Sequence, residues 1–148
     1  MYNTATPYIA ASVILRRENT VAFVLRAHTD WMNGFYDLPS GKVEQNERFM
    51  AAAVREAKEE AGVTVTIQNL SHAITVHRKA PDSQWLDVYF NALEWQGEPY
   101  NAEPDVHGEL VWLDLDDLPK NVLPEIAEAF KQIKAGNTYA EYGWDASF

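Results

Sequence analysis

Hydrophobic residues along this chain gather in blocks, and the spacing within each block predicts an element. Tyr8 to Arg17 and Thr20 to Ala27 are rich in Val, Ile, Leu and Phe and straddle Glu18-Asn19, which predicts two strands joined by a tight turn. From Thr29 to Lys42 the Asp, Asn, Pro and Gly residues predict a loop, with a short extended piece at Tyr36 to Pro39. Between Glu47 and Ala61 the period changes. Met50, Val54, Ala57 and Ala61 recur every three or four residues, the mark of a helix with one apolar stripe. Gly62 follows, where a helix end often needs a left-handed residue.

The second half repeats the alternation of element types without repeating any sequence. Val63 to Lys79 and Trp85 to Trp95 read as β-rich partners around the turn Ala80-Pro81-Asp82-Ser83. Glu109 to Asp114 predicts one more strand, and Leu123 to Ala135 a second helix with Ile126, Phe130 and Ile133 on one face. Asn137 to Phe148 has too little pattern to assign. Strands, one helix, further strands and a late helix predict an α/β fold, a mixed sheet between helices.

Composition narrows the class. The chain has 148 residues, 47% hydrophobic and 23% charged, ordinary values for one domain spanning 1–148. No apolar run approaches the roughly 18 residues of a membrane span, and the first residues lack a basic start, so the expected location is cytoplasmic with no membrane partner. Without cysteine, thiol chemistry is excluded, and His28, His72, His77 and His107 show no close metal-ligand spacing. A formal net charge of −10 argues against long nucleic acid as a partner. It does not exclude a small polyphosphate whose charge is met by bound cations.

The candidate chemistry lies in Gly41 to Val63, GKVEQNERFMAAAVREAKEEAGV. Glu56, Glu59 and Glu60 stand at i, i+3 and i+4, which places three carboxylates in one sector of a helix. Hard cations such as Mg²⁺ or Mn²⁺ relieve that repulsion and keep positions open for water and phosphate oxygens. A glutamate-rich helix can equally be a solvated face, with Lys58 offsetting part of the charge. The complete frame decides between the two: G-x5-E-x7-R-E-U-x-E-E-x-G-U, with U usually a bulky aliphatic, is filled by Gly41, Glu47, Arg55, Glu56, Ala57, Glu59, Glu60, Gly62 and Val63. Its chance occurrence at ordinary residue usage is on the order of one in a million.

At these residues the chain resembles the Nudix hydrolase family, whose signature is this frame. Ala57 departs mildly from the aliphatic position. Asn46-Glu47-Arg48 departs more, because many members read Gly-Glu-Ser or Gly-Glu-Thr there; Asn46 is then the candidate to cap the helix. Weaker likenesses lie at Leu38-Pro39-Ser40, Glu103-Pro104-Asp105, and Trp112 ahead of Leu118-Pro119. The resemblance implies an α/β/α sandwich with a mixed sheet and the box as a loop–helix–loop at the sheet's mouth. It also implies hydrolysis of a phosphoanhydride in a nucleoside diphosphate linked to another group.

Roles carry over residue by residue. Glu56, Glu59, Glu60 and the Gly41 carbonyl match the family's metal-binding positions, and Arg55 matches an arginine that orients carboxylates of the box. Glu47 has three readings: partner of Arg55, metal ligand, or first-turn acid favoured by the helix dipole. Glu59, Glu60 and the loop acid Glu103 are alternative general bases. Arg26 and Lys42 are placed to reach substrate phosphate, or are solvated charges. Tyr36, Phe35 and Trp31 are candidates to stack on a base, with packing as the alternative. Trp95 and Trp112 read as structural, and Trp144 as closing a pocket or an interface. The substrate expectation is a nucleoside triphosphate or its oxidised form, as in the MutT branch. ADP-ribose or a nucleotide sugar comes second and a non-catalytic nucleotide sensor third, in a monomer or homodimer.

Overall fold

The computed structural model describes residues 2–145. Its elements run β1 (Tyr8–Arg17), β2 (Thr20–Arg26), β3 (Tyr36–Asp37), β4 (Ser40–Lys42), α1 (Phe49–Ala61), β5 (Leu70–Ala80), β6 (Ser83–Ala92), β7 (His107–Asp114), α2 (Pro124–Lys134) and β8 (Tyr139–Tyr142). The strands join in the order β3-β2-β1-β6-β5-β8, with β4 on β1 and β7 on β2. β1 and β6 are parallel, from Tyr8↔Trp85 to Leu15↔Ala92, as are β5 and β8; the other pairings are antiparallel.

The predicted first hairpin forms, and Glu18 takes the left-handed conformation at its turn (φ 54°). Its strands stay paired only at Arg16↔Val21 and Arg17↔Thr20. Beyond that point β1 continues alongside β4 and β6, while β2 turns away to β3 and β7. The sheet opens there, and the mouth of this opening receives the box.

Alternation along β1 feeds two cores. Ala11, Val13 and Leu15 pack under α1 together with Val88, Phe90 and Ala92 of β6, while Ile14 faces α2 with Ile74, Val76 and Tyr89. Fully burying each large aliphatic or aromatic side chain contributes about 1.5–3 kcal/mol, which is why the register holds. α1 lies on the sheet through Ala52, Ala53, Ala57 and Ala61, all without exposed surface. Small side chains let the helix axis approach β1 closely. α2 covers the other face with Ile126, Ala129 and Phe130, and the Phe130 and Phe23 rings stand 6.0 Å apart.

Several expectations change. The first helix starts at Phe49 rather than Glu47, and its N-cap residue, Arg48, makes no side-chain cap bond. Asn46 does not cap it either; it adopts a left-handed turn (φ 66°), a conformation that asparagine tolerates better than most residues. Glu47 therefore precedes the helix, so the first-turn reading of that acid fails. Gly62 behaves as expected, with φ 70° and its N–H on the Lys58 carbonyl. An added Cβ there would also strike the Tyr100 ring.

Val63 to Val65 do not begin a strand. Thr64 exchanges backbone hydrogen bonds with Gln96 alone, Val63 and Val65 are buried, and β5 starts only after a 3₁₀ turn at Ile67–Asn69. β6 ends at Ala92, leaving Trp95 outside it, stacked 6.3 Å from Trp112 with the Arg17 guanidinium over both rings. The unassigned tail supplies β8, which lies parallel to β5. Among the described residues no helix is long and apolar enough to cross a membrane.

Candidate active site

Two long-range constraints build the acidic end of the site. β4 pairs with β1 through Ala11↔Gly41, and α1 packs its alanine face on β1, which brings Glu56 and Glu60 against β4. The Ser40 N–H donates to Glu60 Oε2 at 3.0 Å. Glu56 lies so close over Gly41 that an added Cβ would sit 2.1 Å from Oε1. Any other residue at position 41 would displace the carboxylate. Glu59, on the same helical sector, keeps half of its side chain in solvent.

Arg55 organises these acids. Its Nε and Nη2 grip both oxygens of Glu47 at 2.8 and 2.9 Å, and Nη1 donates to Glu56 at 2.6 Å and Glu59 at 3.3 Å. Nη2 also reaches the Lys42 carbonyl at 3.2 Å, so all the guanidinium donors have acceptors. Glu47 is thereby bound on both oxygens, and its Oε1 accepts from the Glu44 N–H as well. These bonds hold its carboxyl down at about 2.

Glu56 moves the opposite way. Burial pushes it up to about 7 against the pull of Arg55, with Glu59 and Glu103 adding negative charge. Glu60 is also raised, chiefly by burial, opposed by the Ser40 N–H and reinforced by Asp37, Glu56 and Glu103. Glu103 joins them from a loop pinned to the end of α1: Tyr100 N–H bonds to the Ala61 carbonyl and Ala102 N–H to that of Glu60. Burial and Glu59 raise Glu103 too.

A divalent cation fits this donor set by three criteria. The candidate ligands are oxygens, the buried acids repel one another, and the missing Cβ of Gly41 lets the Glu56 carboxylate lie against the backbone there. Among the described residues no three acidic or histidine side chains converge on one ion position. Hard cations that keep water and substrate oxygens do not require such a cage.

A cleft of about 630 Å³ runs from Gly41 and Glu60 across the α2 face of the sheet. Arg26 and Lys42 both line it. Arg26 bonds to Asp37 (3.1 Å), Thr29 and the Trp31 carbonyl, and lies over the Trp31 ring; a register shift after Val24 precedes it in β2. Lys42 Nζ sits 4.6 Å from the Tyr8 ring centroid and 5.6 Å from that of Trp85. Trp31 lines the cleft, as one sequence reading had it. Tyr36 lies outside the lining, because the strand alternates: Asp37 faces the cleft, while Tyr36 packs against the core beneath α2 and its hydroxyl donates to Glu109. Phe35 packs into the core beneath α2.

Sequence reasoning missed the far end of the cleft. Arg78 and Asp87 form a buried ion pair at 2.6 and 3.2 Å, with the guanidinium over Trp85. Glu125, at the start of α2, faces the same space and is raised by burial. Asp37 is pushed up to about 6, burial outweighing Arg26. The available signal was a charged residue in an apolar row along one face of a strand: Arg78 follows Ile74 and Val76, and Asp87 stands between Trp85 and Tyr89.

A mixed sheet between helices, with carboxylates and an orienting arginine at one end of a nucleotide-sized cleft, defines a phosphoanhydride hydrolase of the Nudix architecture. The chain belongs to the NUDIX domain family, whose model matches residues 6–133. It is a MutT-like Nudix hydrolase, a pyrophosphohydrolase of a family that uses divalent metal ions and acts on small nucleotide substrates. The chain is 37% identical over 91 residues to an 8-oxo-dGTP diphosphatase of Proteus vulgaris, covering 62% of this chain and 80% of the relative. It is 29% identical over 114 residues to an ADP-ribose pyrophosphatase of Methanocaldococcus jannaschii, covering 77% and 66%. Among solved structures, a MutT Nudix hydrolase from Burkholderia pseudomallei superimposes with a TM-score of 0.78 at 28% identity, over 86% of this chain and 98% of that one.

Proposed function

We propose that this chain, acting as one domain, hydrolyses a phosphoanhydride bond of a nucleoside triphosphate or an oxidised nucleotide with Mg²⁺ or Mn²⁺. The observation that carries the proposal is the junction of the acidic cluster and the cleft at Gly41 and Glu60. Glu56, Glu59, Glu60 and the Gly41 carbonyl would hold the metal, which would supply positive charge to the phosphates and lower the pKa of water. Arg55 is a positioning residue: tied to Glu47, it fixes Glu56 and Glu59 in one orientation. In this reading Glu47 serves Arg55 rather than the metal.

Lys42 and Arg26 meet phosphate oxygens at the entrance, and Glu59, Glu60 or Glu103 takes the proton from the attacking water. Glu103 reaches that role only because its loop is pinned to α1. The far end of the cleft takes the nucleoside. The relative from Methanocaldococcus jannaschii supports a second reading, ADP-ribose as substrate. A screen of purified protein against canonical and 8-oxo nucleoside triphosphates, ADP-ribose and nucleotide sugars, with each metal, separates them. Preference for ADP-ribose defeats the triphosphate reading, and no metal-dependent turnover of any of them defeats both.

A further inference from the structure

The tail after α2 hooks over the edge of the sheet. β8 pairs with β5 from Thr75↔Tyr139 to Arg78↔Tyr142, which puts Tyr142 beside Arg78 on the cleft face. Tyr139 and Glu141 point the other way, and the Tyr139 hydroxyl donates to Glu141 at 2.6 Å. At Gly143 the backbone turns left-handed (φ 85°) against the Lys79 carbonyl, where an added Cβ would sit 2.5 Å from the oxygen. Trp144 then lands on the opposite face: its Nε1–H donates to the His77 carbonyl at 3.0 Å and its ring meets His77 at 4.7 Å. Alternation along β5 places His77 and Arg78 on opposite faces, so the three residues Tyr142, Gly143 and Trp144 clasp the strand from both sides.

We infer that Tyr142 is the wall of the cleft on which the nucleobase stacks, and that Gly143 and Trp144 form the clasp holding it there. The inference rests on the nucleotide reading of the cleft given above. Three features support it. Tyr142 lines the same space as Gly41 and Glu60, but with Arg78, Asp87 and Glu125 at the end where the nucleoside is placed. Its ring is only partly buried: it packs on the edge of the core beneath α2 and also lines the cleft. The clasp also confines a residue of a four-residue edge strand, which would otherwise fray. A flat aromatic face held this way suits stacking on a base, and stacking tolerates any base.

The test is calorimetric binding of the 2′-deoxynucleoside monophosphates and of inorganic pyrophosphate, with Mg²⁺, to the full chain and its variants. Tyr142→Ala should weaken monophosphate binding about tenfold while pyrophosphate binding holds, because only the former carries a base. Trp144→Ala should reproduce that selective loss, Tyr142→Phe should recover most of it, and Tyr139→Ala, on the opposite face, should change neither ligand. Equal losses for both ligands, unchanged monophosphate affinity in Tyr142→Ala, or no monophosphate binding by the wild type would each overturn the inference. Should Tyr142→Ala fail to fold, the Trp144→Ala and wild-type measurements still decide it. Because no turnover is needed, selective loss in a protein that hydrolyses no nucleotide would leave this inference standing and remove the catalytic one.

Discussion

Gly41→Ala tests how the site is built with a single methyl group. Position 41 has no left-handed backbone requirement, so the chain itself accepts alanine, which alone would stabilise by about 0.4–1 kcal/mol through the unfolded state. The new Cβ would nevertheless sit 2.1 Å from Glu56 Oε1 and 2.4 Å from Cδ. Ordinary contact lies near 3.5 Å, so the carboxylate must withdraw by roughly 1 Å or more. That withdrawal breaks the 2.6 Å bond to Arg55. Overpacking costs about 1–3 kcal/mol and a hydrogen bond to a charged group about 1.5–3 kcal/mol, the latter reduced here because Arg55 is partly solvated. The net loss is about 1–3 kcal/mol, a fall in Tm of roughly 3–10 °C for a chain of this length. If Glu56 holds the metal as proposed, displacing it by about 1 Å should lower kcat/KM on the order of 100-fold. Thermal unfolding and steady-state hydrolysis of the best nucleotide read the two effects. Adding Glu56→Asp shortens the colliding side chain and should recover Tm without recovering turnover. Wild-type Tm and kcat/KM in Gly41→Ala would refute the close approach on which the site reading depends.

Glu59→Gln and Glu60→Gln should each cut turnover by orders of magnitude while Tm moves by only a few degrees, since volume is conserved; wild-type rates in both, with metal present, would remove them from the site. Arg55→Lys keeps a charge but loses the fork on Glu47, and a 10- to 100-fold fall in kcat/KM, on the order seen for residues that orient metal ligands, is expected in the same assay. Asp37 gives a pH test. Its folded pKa of about 6 lies above its ordinary 3.8, so the native state holds the extra proton between these values and loses stability as pH rises through that window. Asp37→Asn lacks that loss, and its stability relative to wild type should improve by on the order of 2 kcal/mol between pH 4 and pH 7 in denaturant unfolding. A difference that stays flat with pH would show that burial does not raise this acid.

What could be read along the chain was what periodicity within one element encodes. The i, i+3, i+4 placement of Glu56, Glu59 and Glu60, the stripe ending in Ala57 and Ala61, the left-handed stop at Gly62 and the strands around Glu18 and Pro81 each depend on neighbours a few residues apart. The complete box identified the family for the same reason, because its residues are local in sequence. The errors fell where local signals are weak or ambiguous. Val63 and Val65 are β-branched but serve the core beneath α1, and β8 is a four-residue strand that exists only because β5 offers an edge. Asn46 carries a capping side chain, yet the turn required its backbone instead.

Only the tertiary structure decided which acids are buried and what they face. Glu56 and Glu60 differ from Glu59 because β4, delivered by its pairing with β1, covers two of the three. Tyr36 turned to the core while Asp37 turned to the cleft, by the parity of a two-residue strand whose register β2 sets. The far wall of the cleft joins Arg78, Asp87, Glu125 and Tyr142 from four elements. Burial and charge coupling depend on distances between segments remote along the chain, and those distances follow from strand order and register, which no local spacing specifies.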